Sequence, residues 1–306
     1  MPDPDAPSPG EAGRGRAAIV AAGVLWSTGG LFIKSLTAGG DAGLSAVGIT
    51  CYRSLFAALC LLPLIRGRRI PRAHVWLPAV GLYVTLLITY VASTQGTTAA
   101  NAILLQYTAP FWAALLAGPL LGEPVSRSEV GPLALAGAGI AVLFVGSYRG
   151  AEQAPLLLGA LSGLSFGLFL LYLRKHRSAD PVALTAINNL GVAAVAGVWM
   201  LMTAPDDAAL VAQAWDHPTS QGRILAVTAA MGVLQIAAPY VLFSFGLRWL
   251  SAVEAGLFAL LEPLLNPVWV ALFFGELPTP ATVMGGACLL GALAYRSRVR
   301  ASASAD

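Results

Sequence analysis

Apolar residues in this chain come in long blocks rather than in alternation with polar ones. A helix that crosses hydrocarbon needs roughly 20 mostly apolar residues, and Gly, Pro and charged residues punctuate the chain at about that interval. The pattern predicts ten helices, near residues 17–37, 42–65, 74–95, 98–121, 129–146, 155–174, 180–202, 223–247, 251–274 and 280–296. Residues 1–16 are rich in Pro, Gly and acid and are expected to be a disordered tail, as is the polar stretch 297–306. Residues 1–13 hold no basic residue, so this stretch is not read as the start of a signal peptide. The longest polar interruption, about Thr203 to Gly222, is expected to be a loop.

Polar residues inside the blocks carry the chemistry. The ninth block, Leu250–Glu276, holds two carboxylates and two interrupting prolines, in Glu262-Pro263 and Asn266-Pro267. A carboxylate at membrane depth costs about 2.5–3.5 kcal/mol on insertion scales, which makes it a functional candidate. With Glu254 as the zero of a wheel at about 100° per residue, Trp269 falls near 60°, Glu262 near 80° and Asn266 near 120°. One side of this helix is thus polar. In the fourth block Thr97, Thr98, Asn101, Thr108 and Trp112 fall within about 100° of one another, and Gln106 and Tyr107 point elsewhere. That stripe has two readings, a cavity wall or interhelical hydrogen bonding. Arg53 lies midway along the second block and needs a partner or a watery cavity; an ion pair with Glu262 or Glu254 and a hold on substrate are both open. Lys34 near the end of the first block is read as a cation that snorkels to the interface. Trp26, Tyr90, Asn188, Gln235 and Tyr240 complete the set of candidate cavity residues.

Composition fixes the compartment. Of 306 residues, 57% are hydrophobic and 11% charged, against about 25% charged in a soluble domain. The expected class is an all-α polytopic membrane protein. Cys51, Cys60 and Cys288 lie in apolar runs and read as small buried hydrophobes. Charge placement sets orientation. If the N-terminus is cytoplasmic, fourteen Lys and Arg residues, from Arg14 to Arg300, fall in inner segments, and Arg149 and Arg223 fall in outer ones. Such a bias places both termini on the cytoplasmic side of the plasma membrane.

The chain also repeats. Shifted by 153 residues, Thr98–Pro110 lies over Ser251–Pro263 and Gly122-Glu123 over Gly275-Glu276; these glycine-acid pairs are read as helix stops. A shift of about 140 puts Trp26 and Lys34 over Phe166 and Arg174, and one of about 135 puts Arg53 over Asn188. Five helices per half is an odd number, so the halves, 17–146 and 155–296, must be inverted relative to each other. Inverted repeats of this kind characterise secondary transporters.

The sequences LWSTGGLFIK (Leu25–Lys34), YRSLFAA (Tyr52–Ala58), TAANAILLQYTAPFWAALL (Thr98–Leu116) and LLEPLLNPVWVALFFGE (Leu260–Glu276) resemble the EamA family of the drug/metabolite transporter superfamily. The resemblance covers about residues 17–296. It implies ten helices in two inverted five-helix repeats, a central cavity, alternating access and, in bacteria, commonly export of a small metabolite such as an amino acid or amine. It implies a small-molecule substrate and a lipid bilayer as partners. Apart from the resemblance, a carboxylate at membrane depth can take and release protons as water access alternates, so protons are a candidate coupling ion with Glu262 and Glu254 as candidate carriers. A structural hold on a partner such as Arg53 stays open for Glu262, and a place at the interface near Arg248 for Glu254. Monomer and homodimer both remain open. No cofactor, metal or nucleic acid is expected. The competing class is a membrane-embedded enzyme acting on a lipid-linked substrate. Such an enzyme needs convergent acid, base or metal ligands, and here His74, His176 and His217 fall in links between blocks.

Overall fold

The computed structural model describes residues 9–37, 43–122, 127, 130–147, 153–176, 179–216, 218–246, 249 and 258–303. Among these residues the protein is helical, without strands. Its α-helices in chain order are α1 (Pro9–Ser27), α2 (Gly29–Thr37), α3 (Ala46–Leu61), α4 (Ala73–Gly96), α5 (Ala99–Gln106), α6 (Ala109–Leu121) and α7 (Val130–Ser147). The second half has α8 (Gln153–Lys175), α9 (Pro181–Thr203), α10 (Pro205–Asp216), α11 (Pro218–Ala230), α12 (Ala238–Gly246), α13 (Leu261–Phe274) and α14 (Pro280–Ala303). Seven stretches are long and apolar enough to span a bilayer, with Val130–Gly146 and Leu261–Phe274 as shorter apolar helices. With α14 these make ten crossings. Three crossings consist of paired helices: α1 with α2, α5 with α6, and α11 with α12. The chain is a polytopic helical membrane protein.

Local sequence explains where the helices start, break and stop. Ser45 Oγ caps α3 by accepting from the Gly48 amide at 3.1 Å, and Thr98 Oγ1 caps α5 by accepting from Asn101 at 3.1 Å. Each satisfies an otherwise orphan donor of the first turn. The fourth crossing breaks at Tyr107–Thr108, because Pro110 has no amide hydrogen to continue the ladder. The ninth restarts at Leu261 with Pro263 in its first turn. Both end on a left-handed glycine, Gly122 at φ +72° and Gly275 at φ +67°, a conformation that costs residues with a Cβ. In the eighth crossing Pro239 cannot donate to Gln235. The helix widens to a π-turn over Met231–Ala237, closed by the Ala238 amide on the Val233 carbonyl.

The helix pairings interchange when the two halves are exchanged. The fifth and tenth crossings, α7 and α14, pack on each other, as do the second and seventh, α3 and α9. The third crossing packs on the sixth (α4 on α8), and its counterpart is the eighth on the first (α12 on α1). The fourth packs on the sixth (α6 on α8), and its counterpart is the ninth on the first (α13 on α1). At the α7–α14 contact a Cβ on Gly139 would lie 2.8 Å from the Gly285 carbonyl, and one on Gly285 2.8 Å from the Gly139 carbonyl. Close approach through small residues is how helices gain contact in lipid, where no hydrophobic driving force joins them.

Several expectations change. α1 begins at Pro9, within the stretch expected as a tail. Pro at the first position and Glu11 in the first turn both favour a helix start. α14 continues to Ala303, past the expected 296. Much of the expected loop 203–222 is helix α10, which opens on Pro205 with Asp206 and Asp207 in its first turn. It docks by Asp207, which accepts from the amide and hydroxyl of Ser45, and by Val211 in the core. Cys51 is buried, but Cys60 is exposed on α3.

Candidate functional site

Alternation of the crossings puts the start of α1 and the finish of α14 at one end of the bundle, here the terminal end. The far end is tied shut. Lys34 Nζ lies 2.8 Å from Glu276 Oε2 and donates to the Thr97 carbonyl at 2.9 Å, while Glu276 Oε1 accepts from the Ala99 amide at 2.7 Å. Lys34 therefore does not snorkel, and Glu276 does more than follow a helix stop. Together they join the first, fourth and ninth crossings. Gln95 donates to the Leu44 carbonyl at 2.9 Å, and Arg223 donates to the Ser35 carbonyl at the same end. At the terminal end Arg68 pairs with Asp180 at 2.8 Å, and Tyr172 donates to the His74 carbonyl. Partial burial pushes the Asp180 carboxyl up, but hydrogen bonds from the Ala183 amide and from Arg68, with the Arg68 charge and the Val182 amide, outweigh it. They hold the group below the usual carboxylate range.

Between these ends lies a cavity of about 610 Å³, within the range of small-molecule pockets. Both halves wall it. The first contributes Trp26, Arg53, Tyr83, Tyr90, Gln106 and Tyr107. The second contributes Phe166, Phe169, Gln235, Tyr240, Phe243, Glu262 and Arg296. Trp26 lies beside the α1–α2 break, Tyr90 inside α4, Gln235 in the π-turn of the eighth crossing and Glu262 at the start of α13. Leu173 and Phe243 lie close to the helix ends at the terminal side and Arg296 lies in the terminal half of α14, so the cavity is displaced toward that end.

The breaks in the helices shape its walls. Tyr107, where α5 gives way to α6, donates from its hydroxyl to Glu262 Oε2 at 2.8 Å, beside the Ala259 carbonyl at 3.0 Å. The π-turn carries Gln235 and Ile236 onto the wall, and such turns recur at functional sites. Trp26 meets Tyr240 edge-on at 5.4 Å between ring centroids and Phe243 at 5.3 Å. Arg53 is 1% exposed, its Nε has no hydrogen-bond partner, and it forms no ion pair among the described residues. The phenols of Tyr83, Tyr90 and Tyr240 are its ionisable neighbours. The expected Arg53–Glu262 pair is thus not formed. Glu254 lies outside the described residues.

Of the other candidates, Trp26, Tyr90, Gln235 and Tyr240 reach the cavity, and the fourth-crossing stripe does not. Thr98 is a helix cap. Asn101 bonds Thr97 at 3.2 Å and accepts from Thr282 of α14 at 2.8 Å. Trp112 donates to Thr108 at 3.1 Å, and a Cβ on Gly167 of α8 would meet the Trp112 side chain at 2.7 Å. The stripe faces neighbouring helices because the break after Gln106 stops one continuous wheel from describing α5 and α6. Gln106 and Tyr107, set aside on that wheel, line the cavity together with Pro110. Asn188 is buried and off the cavity wall. Asn266 is fully buried against Gly30 of α2, and Trp269 donates to Ser27 Oγ at 2.8 Å. The polar arc of the ninth crossing is therefore divided between the cavity and the first crossing. Missed entirely were Tyr83, Phe169, Phe243 and Arg296, which look like ordinary core or interface residues in sequence; Phe166 had a signal, as the repeat mate of Trp26.

A helical bundle with a solute-sized cavity walled by both halves is the arrangement that a small-molecule transporter requires. The chain belongs to the EamA-like transporter family, whose pattern it matches over residues 13–145 and again over 153–297. It is 30% identical over 282 residues to an uncharacterized transporter of Archaeoglobus fulgidus, covering 90% of this chain and 93% of that one. It is 31% identical over 263 residues to an uncharacterized protein of Pseudomonas aeruginosa, covering 82% and 85%. A solved crystal structure superposes with a TM-score of 0.63 at 18% identity, covering 94% of this chain and 97% of that one, and shares the fold.

Proposed function

We propose that this protein is a secondary active transporter that moves a small metabolite across the plasma membrane by alternating access, in the direction of export, with both termini cytoplasmic. The two five-helix units, 17–146 and 155–296, act as its moving halves. The single observation that carries this reading is the cavity, walled by both halves, displaced toward the terminal end and sealed at the far end by the Lys34–Glu276 pair. With both termini cytoplasmic, this is the inward-facing state, ready to load solute from the cell. Glu262 is the coupling residue: a carboxylate among aromatic rings near mid-membrane can exchange a proton as access alternates, and Tyr107 fixes its position. Arg53, Trp26, Tyr90, Gln235 and Tyr240 contact the solute.

The test compares metabolites in cells and medium with and without the protein, then measures flux of the best hit in proteoliposomes. Export of a solute dependent on the protein supports the reading. A solute that is chemically converted rather than moved favours the enzyme alternative.

A further inference from the structure

The cavity holds a guanidinium, Arg53, that no carboxylate among the described residues balances. Arg53 is buried in the wall, its Nε bonds nothing, and it forms no ion pair among the described residues. A buried charge left without a counter-charge or full hydrogen bonding is costly, and at membrane depth such a group marks a pathway or ligand site. The carboxylate on the cavity wall, Glu262, does not pair with it. Glu262 is held by the Tyr107 hydroxyl, and Tyr90 and Tyr240 are electrostatic neighbours of both Arg53 and Glu262. Nearer the terminal end a second guanidinium, Arg296, is held to the Pro110 carbonyl on the same wall. Among the described residues the wall thus carries two guanidiniums and one carboxylate, and flat rings line the space, with Trp26 in contact with both Tyr240 and Phe243.

Resting on the transport reading, we propose that Arg53 anchors the carboxylate of the substrate, and that the substrate is an organic monoanion with a flat apolar body. The planar guanidinium matches a carboxylate by paired, charge-assisted hydrogen bonds, and rings of the wall stack on the body of the solute. An amine lacking a carboxylate would bring positive charge toward two guanidiniums and leave Arg53 unbalanced. Selectivity follows from charge at one end and shape at the other.

The experiment measures binding apart from flux. The full-length protein, purified in detergent, is titrated with 3-phenylpropionate, 3-phenylpropanamide and 2-phenylethylamine, and its thermal midpoint and tryptophan fluorescence are followed. The carboxylate is expected to bind at least about tenfold more tightly than the amide or the amine. The preference is expected to fall to near zero in Arg53→Gln, and Arg53→Lys is expected to keep part of it. Equal or tighter binding of the amide or amine, or no carboxylate effect up to the limit of solubility, overturns the proposal. So does a carboxylate preference that survives in Arg53→Gln. The ligand series on the unaltered protein decides the matter even if a variant does not fold. Flux of the same three compounds separates the two readings. Carboxylate binding without flux of any solute removes transport and leaves the anion site, whereas flux of amines without carboxylate binding removes the anion site and leaves transport.

Discussion

The Tyr107 hydroxyl and Glu262 Oε2 meet at 2.8 Å across the two halves of the molecule. One residue ends α5 and the other opens α13, each next to a break made by a proline. A hydrogen bond to a charged group contributes about 1.5–3 kcal/mol, and leaving a buried partner unsatisfied costs a similar amount. Tyr107→Phe is therefore expected to lower stability by about 1–3 kcal/mol and to slow flux. A thermal melt in detergent and a proteoliposome flux assay read the two effects. A variant as stable and active as the parent would show that the contact has no such role.

The Lys34–Glu276 pair makes a second prediction. Each side chain also bonds a backbone group at the link between α4 and α5, through the Thr97 carbonyl or the Ala99 amide. Exposed ion pairs contribute about 0.2–1 kcal/mol, and this pair lies at 17% and 24% side-chain exposure. A double-mutant cycle with Lys34→Gln and Glu276→Gln is expected to give a coupling of about 1 kcal/mol. Additive losses would mean that the two residues act separately.

Close helix contacts set a third. A Cβ at Gly30 would lie 2.5 Å from Asn266 Oδ1 and 3.0 Å from the Ala99 Cβ, whereas one at Gly81 meets nothing within 4 Å. Gly30→Ala is expected to cost about 1–3 kcal/mol by overpacking. Gly81→Ala, inside α4, is expected to melt at or above the parent, because Ala is favoured over Gly in a helix by about 1 kcal/mol. Thermal melts of both variants check the pair. Equal shifts would argue against the tight first–ninth crossing contact.

Asp180 gives a pH dependence. It caps α9 by accepting from Val182 and Ala183 at 2.9 Å and pairs with Arg68 at 2.8 Å. Its folded value lies below its ordinary one, so its contribution to stability is present above about pH 4, the ordinary range of an aspartate. That contribution is lost as pH falls through the lower folded value. Asp180→Asn keeps a capping side chain and loses the charge. The melting difference between parent and variant should hold steady at neutral pH and shrink toward zero in acid. A difference that grows on acidification would contradict the assignment.

Much of the framework can be read from local pattern. The apolar blocks, the prolines that break the fourth and ninth crossings, and the glycine stops at Gly122 and Gly275 all act over short range. Trp26, Arg53, Tyr90, Gln235, Tyr240 and Glu262 stand out because polar or amphipathic groups within apolar blocks need an unusual environment. What sequence conceals is rotation and distance. The wheel that turned Tyr107 away from the cavity assumed an unbroken helix through Tyr107–Thr108. Helix α10 was legible in Pro205, Asp206 and Asp207, but its acidic start resembles a loop in a chain this apolar. The Lys34–Glu276 contact joins residues far apart in sequence, and no local pattern specifies it.

The most direct test of the account is flux driven by a pH gradient in proteoliposomes holding Glu262→Gln, compared with exchange of the same solute without a gradient. Gradient-driven flux is expected to be lost while exchange survives, because the cavity keeps its shape and loses the group that carries the proton. Gradient-driven flux equal to that of the parent would contradict Glu262 as the coupling residue.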